Sequence, residues 1–224
     1  MRIGFVFSLG HAAPGPRDAS NQPLHDGKLA SMSHAPVRAR YGYEEYRRFE
    51  EATDAKHEYV DGEILAMAGG TPEHAALAAA VIAEVSRQLA GGPCTAFTSD
   101  LRIRVRATGL ATYPDAAVIC GEVERDPQDP NAAVNPIVLV EVLSDSTAAY
   151  DAGEKFTHYS QIPDLRDYVL ISHEERRIEV RSRTLHGAWQ TVVTGRGGVM
   201  HLASIGADLS VDIIYERSPL TRLL

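Results

Sequence analysis

The sequence predicts an α/β fold with a central mixed β-sheet flanked by helices and a β-hairpin near the start of the domain. Strand-like and helix-like segments alternate along the chain, which is the order typical of α/β proteins. The middle of the chain holds continuous apolar runs, which are typical of strands buried on both faces. With 224 residues and 44% hydrophobic content, the chain is long enough to form one sizeable core.

The composition divides the chain into three segments. Residues 1–40 are rich in Pro, Ser, Ala and Gly, so we expect an irregular, disordered N-terminal arm, and Met32 is an alternative start. Residues 41–216 are expected to form the folded domain, and residues 217–224 a C-terminal tail.

The charge and the cysteines limit the classes of function. The chain has a net charge of −8, so it lacks the excess of basic residues that is typical of nucleic-acid-binding proteins. No apolar run reaches the roughly 18 residues that span a bilayer, so we expect no membrane association and a cytoplasmic location. Cys94 and Cys120 share no metal-ligand spacing and lie in apolar segments, so we expect reduced, interior thiols.

The first predicted elements are a short helix, the hairpin and a long helix. The segment "YGYEEYRRFEEATD" has aromatic residues at spacings of three, which indicates an amphipathic helix. In "KHEYVDGEILAMAGG", the dipeptide Asp61-Gly62 between two apolar segments predicts a hairpin. Thr71 is suited to cap a helix that starts at Pro72 and continues to a glycine pair.

The remaining elements are mainly strands. The segment "TAFTSDLRIRVRA" alternates apolar residues with Arg102, Arg104 and Arg106, which predicts a strand with one buried face and one arginine face. The apolar strands "YPDAAVIC" and "PIVLVEVLS" follow, joined by the polar loop "GEVERDPQDPNAAVN". A helix in "DAGEKFTHYSQIP" ends at Pro163, and a series of strands completes the chain.

Each of the two apolar strands carries one acid. Asp115 opens the first strand after a proline, and Glu141 shares one face of the second strand with two leucines. A buried carboxylate costs several kcal/mol unless it is compensated. If the strands are neighbours, both acids point into one crevice near the strand ends, and their joint burial implies a shared proton or a cation. Alternatively, arginines or backbone donors satisfy each acid separately.

A helix that follows the Glu141 strand supplies further candidates. Asp151, Lys155 and Tyr159 lie at intervals of four, so they share one helix face, and Lys155 could reach the two acids. The alternative is a surface pair of Asp151 and Lys155, with Tyr159 in the core.

Two residues near the start of the domain complete the set of candidates. Glu58 lies in a largely apolar strand, with Glu63 as its competitor for a place in the crevice. His74, in the first turn of the long helix, is either a surface or capping residue or a group that contacts the substrate. For a cluster of carboxylates, Mg²⁺ is the natural cation, because it prefers hard oxygen ligands, and Mn²⁺ could replace it.

Taken together, these segments resemble the Uma2 family of restriction-endonuclease-like proteins, which belongs to the PD-(D/E)XK nuclease superfamily. The resemblance covers roughly residues 41–216 and rests on five segments in order: "HEYVDGEILAMAGGTPEH", "SDLRIRV", "YPDAAVIC", "LVEVLSDST" and "YDAGEKFTHYSQIPDLRDYVLIS". It implies a restriction-endonuclease-like fold and a metal-dependent endonuclease whose substrate is DNA.

The resemblance also implies roles for individual residues. Asp115 and Glu141 match the two metal-binding acids of the superfamily, and Glu58 resembles an additional N-terminal acid that completes the coordination of Mg²⁺. The superfamily lysine would fall at Leu143, and its absence is the main departure from the pattern. Lys155 would take its place, to orient or help deprotonate the attacking water and to offset charge on the phosphate.

Four residues are candidates for contact with the substrate: Arg102, Arg104, Tyr159 and His74. A homodimer is the expected assembly, because a double-strand break needs two active sites. Two other functions remain open, and the missing lysine and the negative net charge favour the first of them. One is a non-catalytic module that binds nucleic acid or protein, and the other is a phosphodiesterase acting on a small substrate.

Overall fold

The structure is a computed structural model that describes residues 40–67 and 69–216. Three predictions lie outside the described residues: the N-terminal arm (of which only Arg40 is described), the alternative start at Met32 and the tail at 217–224.

The described residues form fourteen strands, five α-helices and one π-helical turn. The strands are β1 (His57–Val60), β2 (Glu63–Ala66), β3 (Cys94–Thr98), β4 (Arg102–Val105), β5 (Leu110–Thr112), β6 (Ala116–Cys120), β7 (Arg125–Asp126), β8 (Asp129–Ala133), β9 (Val138–Val142), β10 (Asp167–Ile171), β11 (Arg177–Arg183), β12 (Trp189–Gly195), β13 (Val199–Leu202) and β14 (Ala207–Ser210). The helices are α1 (Tyr43–Glu51), α2 (Pro72–Leu89), α3 (Ala148–Tyr150), α4 (Phe156–Tyr159) and α5 (Val211–Tyr215), and the π-helical turn Asp151–Lys155 joins α3 to α4.

Two six-stranded sheets organise the domain. The central sheet has the order β12-β11-β10-β9-β6-β3, and the hairpin sheet has the order β2-β1-β5-β4-β8-β7. In the central sheet β9 and β10 are parallel, whereas the other neighbouring strands are antiparallel, so the sheet is mixed. This arrangement, with helices against the sheets, confirms the predicted fold class. Strands β13 and β14 form a separate two-stranded sheet.

The alternation in β9 determines which side of the central sheet holds the site. Its three valines pack with α2 and α5, whereas Leu139 and Leu143 pack with the hairpin sheet and α4. Because side chains alternate along a strand, Glu141 projects to the same side as these two leucines. The site therefore lies between the central sheet, the hairpin sheet and the helix that follows β9.

The predicted turn and long helix form for local reasons. Asp61 and Gly62 both have positive φ, 50° and 82°, which suits the turn of a two-residue hairpin. The register closes with Val60 opposite Glu63. Thr71 caps α2 by accepting a hydrogen bond from the His74 backbone N–H at 3.3 Å.

The prediction of a polar loop between the two central strands is wrong, because this segment contains strands β7 and β8. Strand β8 runs parallel to β4, and its Asp129 is fully buried. Its carboxylate pairs with Arg102 at 3.1 Å, so a polar sequence forms a buried strand through a charge partner supplied by β4.

Cys94 and Cys120 form a disulfide, which corrects the expectation of reduced thiols. The two residues face each other in the antiparallel register of β3 and β6. That register cannot be read from a separation of 26 residues, so the bond could not be predicted from the cysteine spacing. The disulfide ties the edge strand β3 to β6, the strand that follows Asp115.

Within the described ranges, no helix has both the length and the apolar character needed to cross a membrane.

Candidate active site

Asp115 directly precedes β6 and Glu141 lies in β9, and these two strands are neighbours, which meets the condition for a shared crevice. Strands β6 and β9 are antiparallel with Ala116 opposite Val140, so Asp115, one residue earlier, comes opposite Glu141. The Asp115 carboxylate accepts a hydrogen bond from the Val142 backbone N–H at 2.7 Å. The β6–β9 pairing therefore fixes Asp115 at the start of β6, next to the strand that carries Glu141.

Glu141 is buried and has two partners from the helix that follows β9. The Lys155 Nζ lies 2.8 Å from its Oε1, and the Tyr159 hydroxyl donates to the same oxygen at 2.9 Å. Lys155 is itself buried and also contacts Asp151 at 3.2 Å. Asp151, Lys155 and Tyr159 thus share one face, and Asp151 is a buried member of the cluster instead of a surface residue.

The electrostatics of the cluster reflect an excess of negative charge. Burial raises the pKa of Glu141 to about 8, with Lys155 opposing the shift and Asp151 and Asp115 adding to it. Burial lowers the pKa of Lys155, but Glu141 and the other acids outweigh burial and raise it well above its ordinary value. Lys155 is therefore held as an ammonium ion, and Glu141 binds a proton more tightly than an exposed glutamate does.

A π-helical turn sets the positions of Asp151 and Lys155. Such turns often occur at functional sites. The carbonyl of Asp151 accepts a hydrogen bond from the Tyr168 hydroxyl at 2.9 Å, and Arg181 Nη1 donates to the carbonyl of Ala152 at 2.6 Å. Tertiary partners from β10 and β11 therefore satisfy carbonyls of the irregular turn, in which Asp151 and Lys155 are buried and Glu154 is exposed.

Glu58 joins the cluster from the hairpin sheet. It is buried in β1, and its two carboxylate oxygens accept hydrogen bonds from Thr112, at 3.1 Å, and from Tyr150. Its charge contributes to the raised pKa of Lys155. Its competitor, Glu63, lies at the hairpin turn opposite Val60 and is partly exposed. Of the two glutamates, the structure brings Glu58 to the site.

His74 also lies at the cluster. Its Nε2 is 3.3 Å from the Asp115 carboxylate, and this hydrogen bond raises the pKa of His74 against the opposing effect of burial. Gly70 leaves space for the ring, because a Cβ at that position would lie 2.6 Å from His74 Nδ1. The start of α2 thus supplies a second basic group beside the acids.

The arginine row lies elsewhere, which corrects the expectation of a face available for phosphate. Arg102 is 5% exposed, pairs with Asp129 and lies over the rings of Tyr46 and Tyr113. Arg104 lies 3.6 Å from the centroid of the Tyr43 ring and donates to the Gly109 carbonyl. Helix α1 covers this face of β4 through its tyrosines, and Asp129 of the neighbouring strand β8 pairs with Arg102, so Arg102 and Arg104 are not among the site residues.

Leu143 occupies the position of the missing superfamily lysine. It is 9% exposed and packs in the same apolar cluster as Tyr159 and Leu139. The ammonium group nearest to Glu141 comes instead from Lys155, on the next element of the chain.

The chemistry of the cluster suits a hard dication. The ammonium of Lys155 contacts the carboxylates of Glu141 and Asp151, and the charge of Glu58 also acts on it. Asp115 adds its charge to the surroundings of Glu141. Mg²⁺ commonly binds one or two carboxylates and keeps several waters. The side chain of Asp115 is 17% exposed, so solvent reaches the cluster there. In the described ranges, the ligand atoms of Glu58, Asp115 and Glu141 do not all lie within 4.8 Å of one another.

Two contributors were missed by sequence reasoning. Thr112 and Tyr150 both donate to Glu58, and neither has a spacing that points to the acids. Asp151 had a signal, its four-residue spacing from Lys155, but the sequence did not distinguish a buried contact from a surface pair.

Comparison with known proteins places the domain in a family. A family model named Uma2 and described as "Putative restriction endonuclease" matches residues 43–213. The chain belongs to the Uma2 family. The Uma2 match includes every residue of the acidic cluster, so the cluster lies within the family domain.

Two relatives of this Uma2 protein come from Synechocystis sp., and both are named as uncharacterized proteins. The relative slr1290 is 38% identical over 173 residues, which cover 77% of this chain and 90% of the relative. The relative sll1609 is 33% identical over 135 residues, which cover 60% of this chain and 76% of the relative.

A solved structure supports the fold. A crystal structure from Anabaena variabilis, described as "a putative nuclease belonging to DUF820", matches with a TM-score of 0.61 and 18% identity. The match covers 73% of this chain and 92% of that one. At this identity the likeness concerns the fold, and it confirms the restriction-endonuclease-like architecture.

Proposed function

We propose that this protein is a metal-dependent endonuclease that hydrolyses phosphodiester bonds of DNA in the cytoplasm, with Mg²⁺ or Mn²⁺ as its cofactor. One observation carries the proposal: an excess of buried carboxylates surrounds the buried ammonium of Lys155, which lies 2.8 Å from Glu141. Burying this many like charges is costly unless a cation joins them. The family description as a restriction endonuclease supports the same reaction class.

Each residue of the cluster has a role in this reaction. Asp115 and Glu141 would hold the cation, which when bound polarises the phosphate and lowers the pKa of water. Lys155, kept protonated by the surrounding acids, would offset the negative charge that develops on the phosphate. Tyr159 orients Glu141 through the hydrogen bond to Oε1.

The position of Lys155 favours an enzyme over a non-catalytic module. A buried pair that only stabilises the fold, such as Arg102–Asp129, has one cation for one carboxylate. Here the side chain of Lys155 is only 5% exposed, and it contacts two carboxylates. The retained ammonium compensates for the leucine at position 143.

Plasmid cleavage tests the proposal. Wild type should nick or linearise supercoiled plasmid with Mg²⁺ or Mn²⁺ but not with EDTA, and Asp115→Ala and Glu141→Ala should abolish cleavage. Asp100→Ala is the matched control, because its carboxylate is 85% exposed and pairs with Lys56 away from the cluster. Equal cleavage by all variants would reveal a contaminant. No cleavage by wild type would favour a binding module.

A parallel assay tests the class of substrate. The same variants are assayed on bis(p-nitrophenyl) phosphate, single-stranded DNA, duplex DNA and RNA. Metal-dependent hydrolysis of the small diester alone, sensitive to Asp115→Ala, would make the protein a phosphodiesterase of small substrates. Greater cleavage of RNA than of DNA would contradict the DNA assignment.

We also propose a homodimer that pairs the exposed edge strand β12. Among the described strands β12 ends the central sheet, and Val192 and Val193 are 56% and 52% exposed. The uncharged sequence Thr191-Val192-Val193-Thr194 is a palindrome, so antiparallel pairing of two copies matches valine with valine and threonine with threonine. In sedimentation, Val193→Lys should give monomers, whereas Val199→Lys, at a valine 57% exposed on β13, should not.

A further inference from the structure

A second group of potential metal ligands lies outside the acidic cluster. Strands β9 and β10 are parallel and paired up to Val142 and Ile171, so the segments that follow them leave the sheet side by side. Ligands commonly bind at this edge of an α/β sheet. Asp145 follows β9, and His173 and Glu174 follow β10.

The three side chains converge. One ligand atom from each of Asp145, His173 and Glu174 lies within 4.8 Å of the others. His173 Nε2 is 3.0 Å from the Asp145 carboxylate. A crevice of about 330 Å³ adjoins the group, and its lining includes all three residues. The two connecting segments thus provide one nitrogen and two carboxylates around an accessible space.

The burial of His173 distinguishes this group from an ordinary surface ion pair. Its side chain is 18% exposed although its partner Asp145 is 83% exposed. Its Nδ1 is buried and has no hydrogen-bond partner among the described residues. The ring is therefore held with Nε2 toward the carboxylates and with its other nitrogen away from solvent. The backbone N–H of Glu174 donates to the Ser172 hydroxyl at 3.3 Å, which holds the turn.

We propose that Asp145, His173 and Glu174 bind a divalent transition metal, with Zn²⁺ as the best fit and Mn²⁺ as the alternative. An imidazole nitrogen with two carboxylates suits these ions, whereas Mg²⁺ prefers oxygen ligands alone. The site is separate from the acidic cluster in both position and ligand type. Three protein ligands leave further coordination positions for water, as in open zinc sites.

The bound metal would act as a clamp between two parts of the active-site region. Residues 143–147 connect β9, which carries Glu141, to the helical segment that carries Lys155. A metal that joins Asp145 in this connection to the end of β10 would fix the connection against the central sheet. This role does not depend on the proposed nuclease activity.

The test is calorimetric titration of Zn²⁺ into the full chain with an Asp115→Asn background, which weakens binding at the acidic cluster. His173→Ala should lower the Zn²⁺ affinity by at least about tenfold, because it removes the nitrogen ligand. His201→Ala is the matched control: His201 also pairs with an aspartate, Asp208, at 2.7 Å, but this pair has no third ligand among the described residues. It should leave the affinity unchanged.

A second variant guards against misfolding. Asp145→Asn alters a side chain that is 83% exposed, so the fold should persist, as circular dichroism would verify. It should also weaken Zn²⁺ binding, and it should abolish the rise in the melting temperature that Zn²⁺ produces in the Asp115→Asn background. Equal losses for His173→Ala and His201→Ala, or unchanged affinity in Asp145→Asn, would overturn the proposal.

Discussion

Around Arg102 in the hairpin sheet, one guanidinium meets one carboxylate, that of Asp129, and the rings of Tyr46 and Tyr113 enclose the pair. Around Lys155, one ammonium contacts Glu141 and Asp151, and further acids lie beside them. Both regions bury charge, but the first is balanced and the second carries an excess of negative charge.

The backbones of the two regions also differ: the first is regular and the second is irregular. Arg102 and Asp129 lie on regular, paired strands, so ordinary sheet geometry produces their contact. Lys155 lies at the end of a π-helical turn that needs Tyr168 and Arg181 to satisfy its carbonyls. An unbalanced charge on an irregular backbone lowers the stability of the fold. Proteins retain such features mainly where function requires them. We therefore propose that the Lys155 region is functional and that the Arg102 region is structural.

The largest expected difference between the regions is in activity. Glu141→Gln should lower the rate of plasmid cleavage on the order of 10³-fold, because it removes a charge that holds the cation. Arg104→Ala should retain the rate within a few-fold, since its guanidinium lies on the Tyr43 ring. Initial rates at saturating Mg²⁺ measure both. A comparable loss of rate in Arg104→Ala would indicate that the arginine row does contact the substrate.

The next difference is in stability and its response to metal. Arg102→Met should lower the free energy of unfolding by about 3–5 kcal/mol, because Asp129 is left buried without its partner. Lys155→Met should also destabilise the protein in EDTA, but Mg²⁺ should restore part of the loss, since a dication can replace the ammonium among the acids. Urea unfolding with and without Mg²⁺ measures both effects. Equal responses of the two variants to Mg²⁺ would remove the distinction between the regions.

The pH dependence of stability should separate the regions further. Burial raises the pKa of Glu141 from 4.5 to about 8, so folding favours the protonated carboxyl. Its contribution to stability is complete below 4.5 and is lost as the pH rises through about 8. In EDTA, wild type should therefore lose stability relative to Glu141→Gln across this window, as urea unfolding at a series of pH values would show. A difference that is constant with pH would contradict the raised pKa.

The smallest effect concerns a single hydrogen bond. Tyr159→Phe removes the hydroxyl that donates to Glu141 at 2.9 Å and should cost about 1 kcal/mol of unfolding free energy. It should lower the cleavage rate by about tenfold, because Glu141 loses its orientation. Tyr215→Phe, at a buried tyrosine that bonds backbone carbonyls remote from the cluster, should cost similar stability without the loss of rate.

The sequence predicted the parts of the site that break a local pattern. Asp115 and Glu141 interrupt apolar strands, and the four-residue spacing marks Lys155 and Tyr159. The hairpin turn at Asp61 was readable because its backbone needs special residues. These signals are local, so they survive without knowledge of the tertiary structure.

The errors concern features that depend on distant partners. The alternation in β4 predicted a strand but could not reveal that α1 covers its arginine face. Strand β8 looked like a loop because its burial depends on the Arg102–Asp129 pair. The disulfide depends on the register of two strands, and the π-helical turn on hydrogen bonds from Tyr168 and Arg181.

The most direct measurement of the central claim is calorimetric titration of Mg²⁺ into wild type and into the double variant Asp115→Asn, Glu141→Gln. Both substitutions keep the size of the side chain and a carbonyl oxygen, so the cluster can retain its packing. Wild type should bind Mg²⁺ saturably, and the double variant should lose this binding. Equal Mg²⁺ binding by the two proteins, or none by either, would contradict a dication held by these acids.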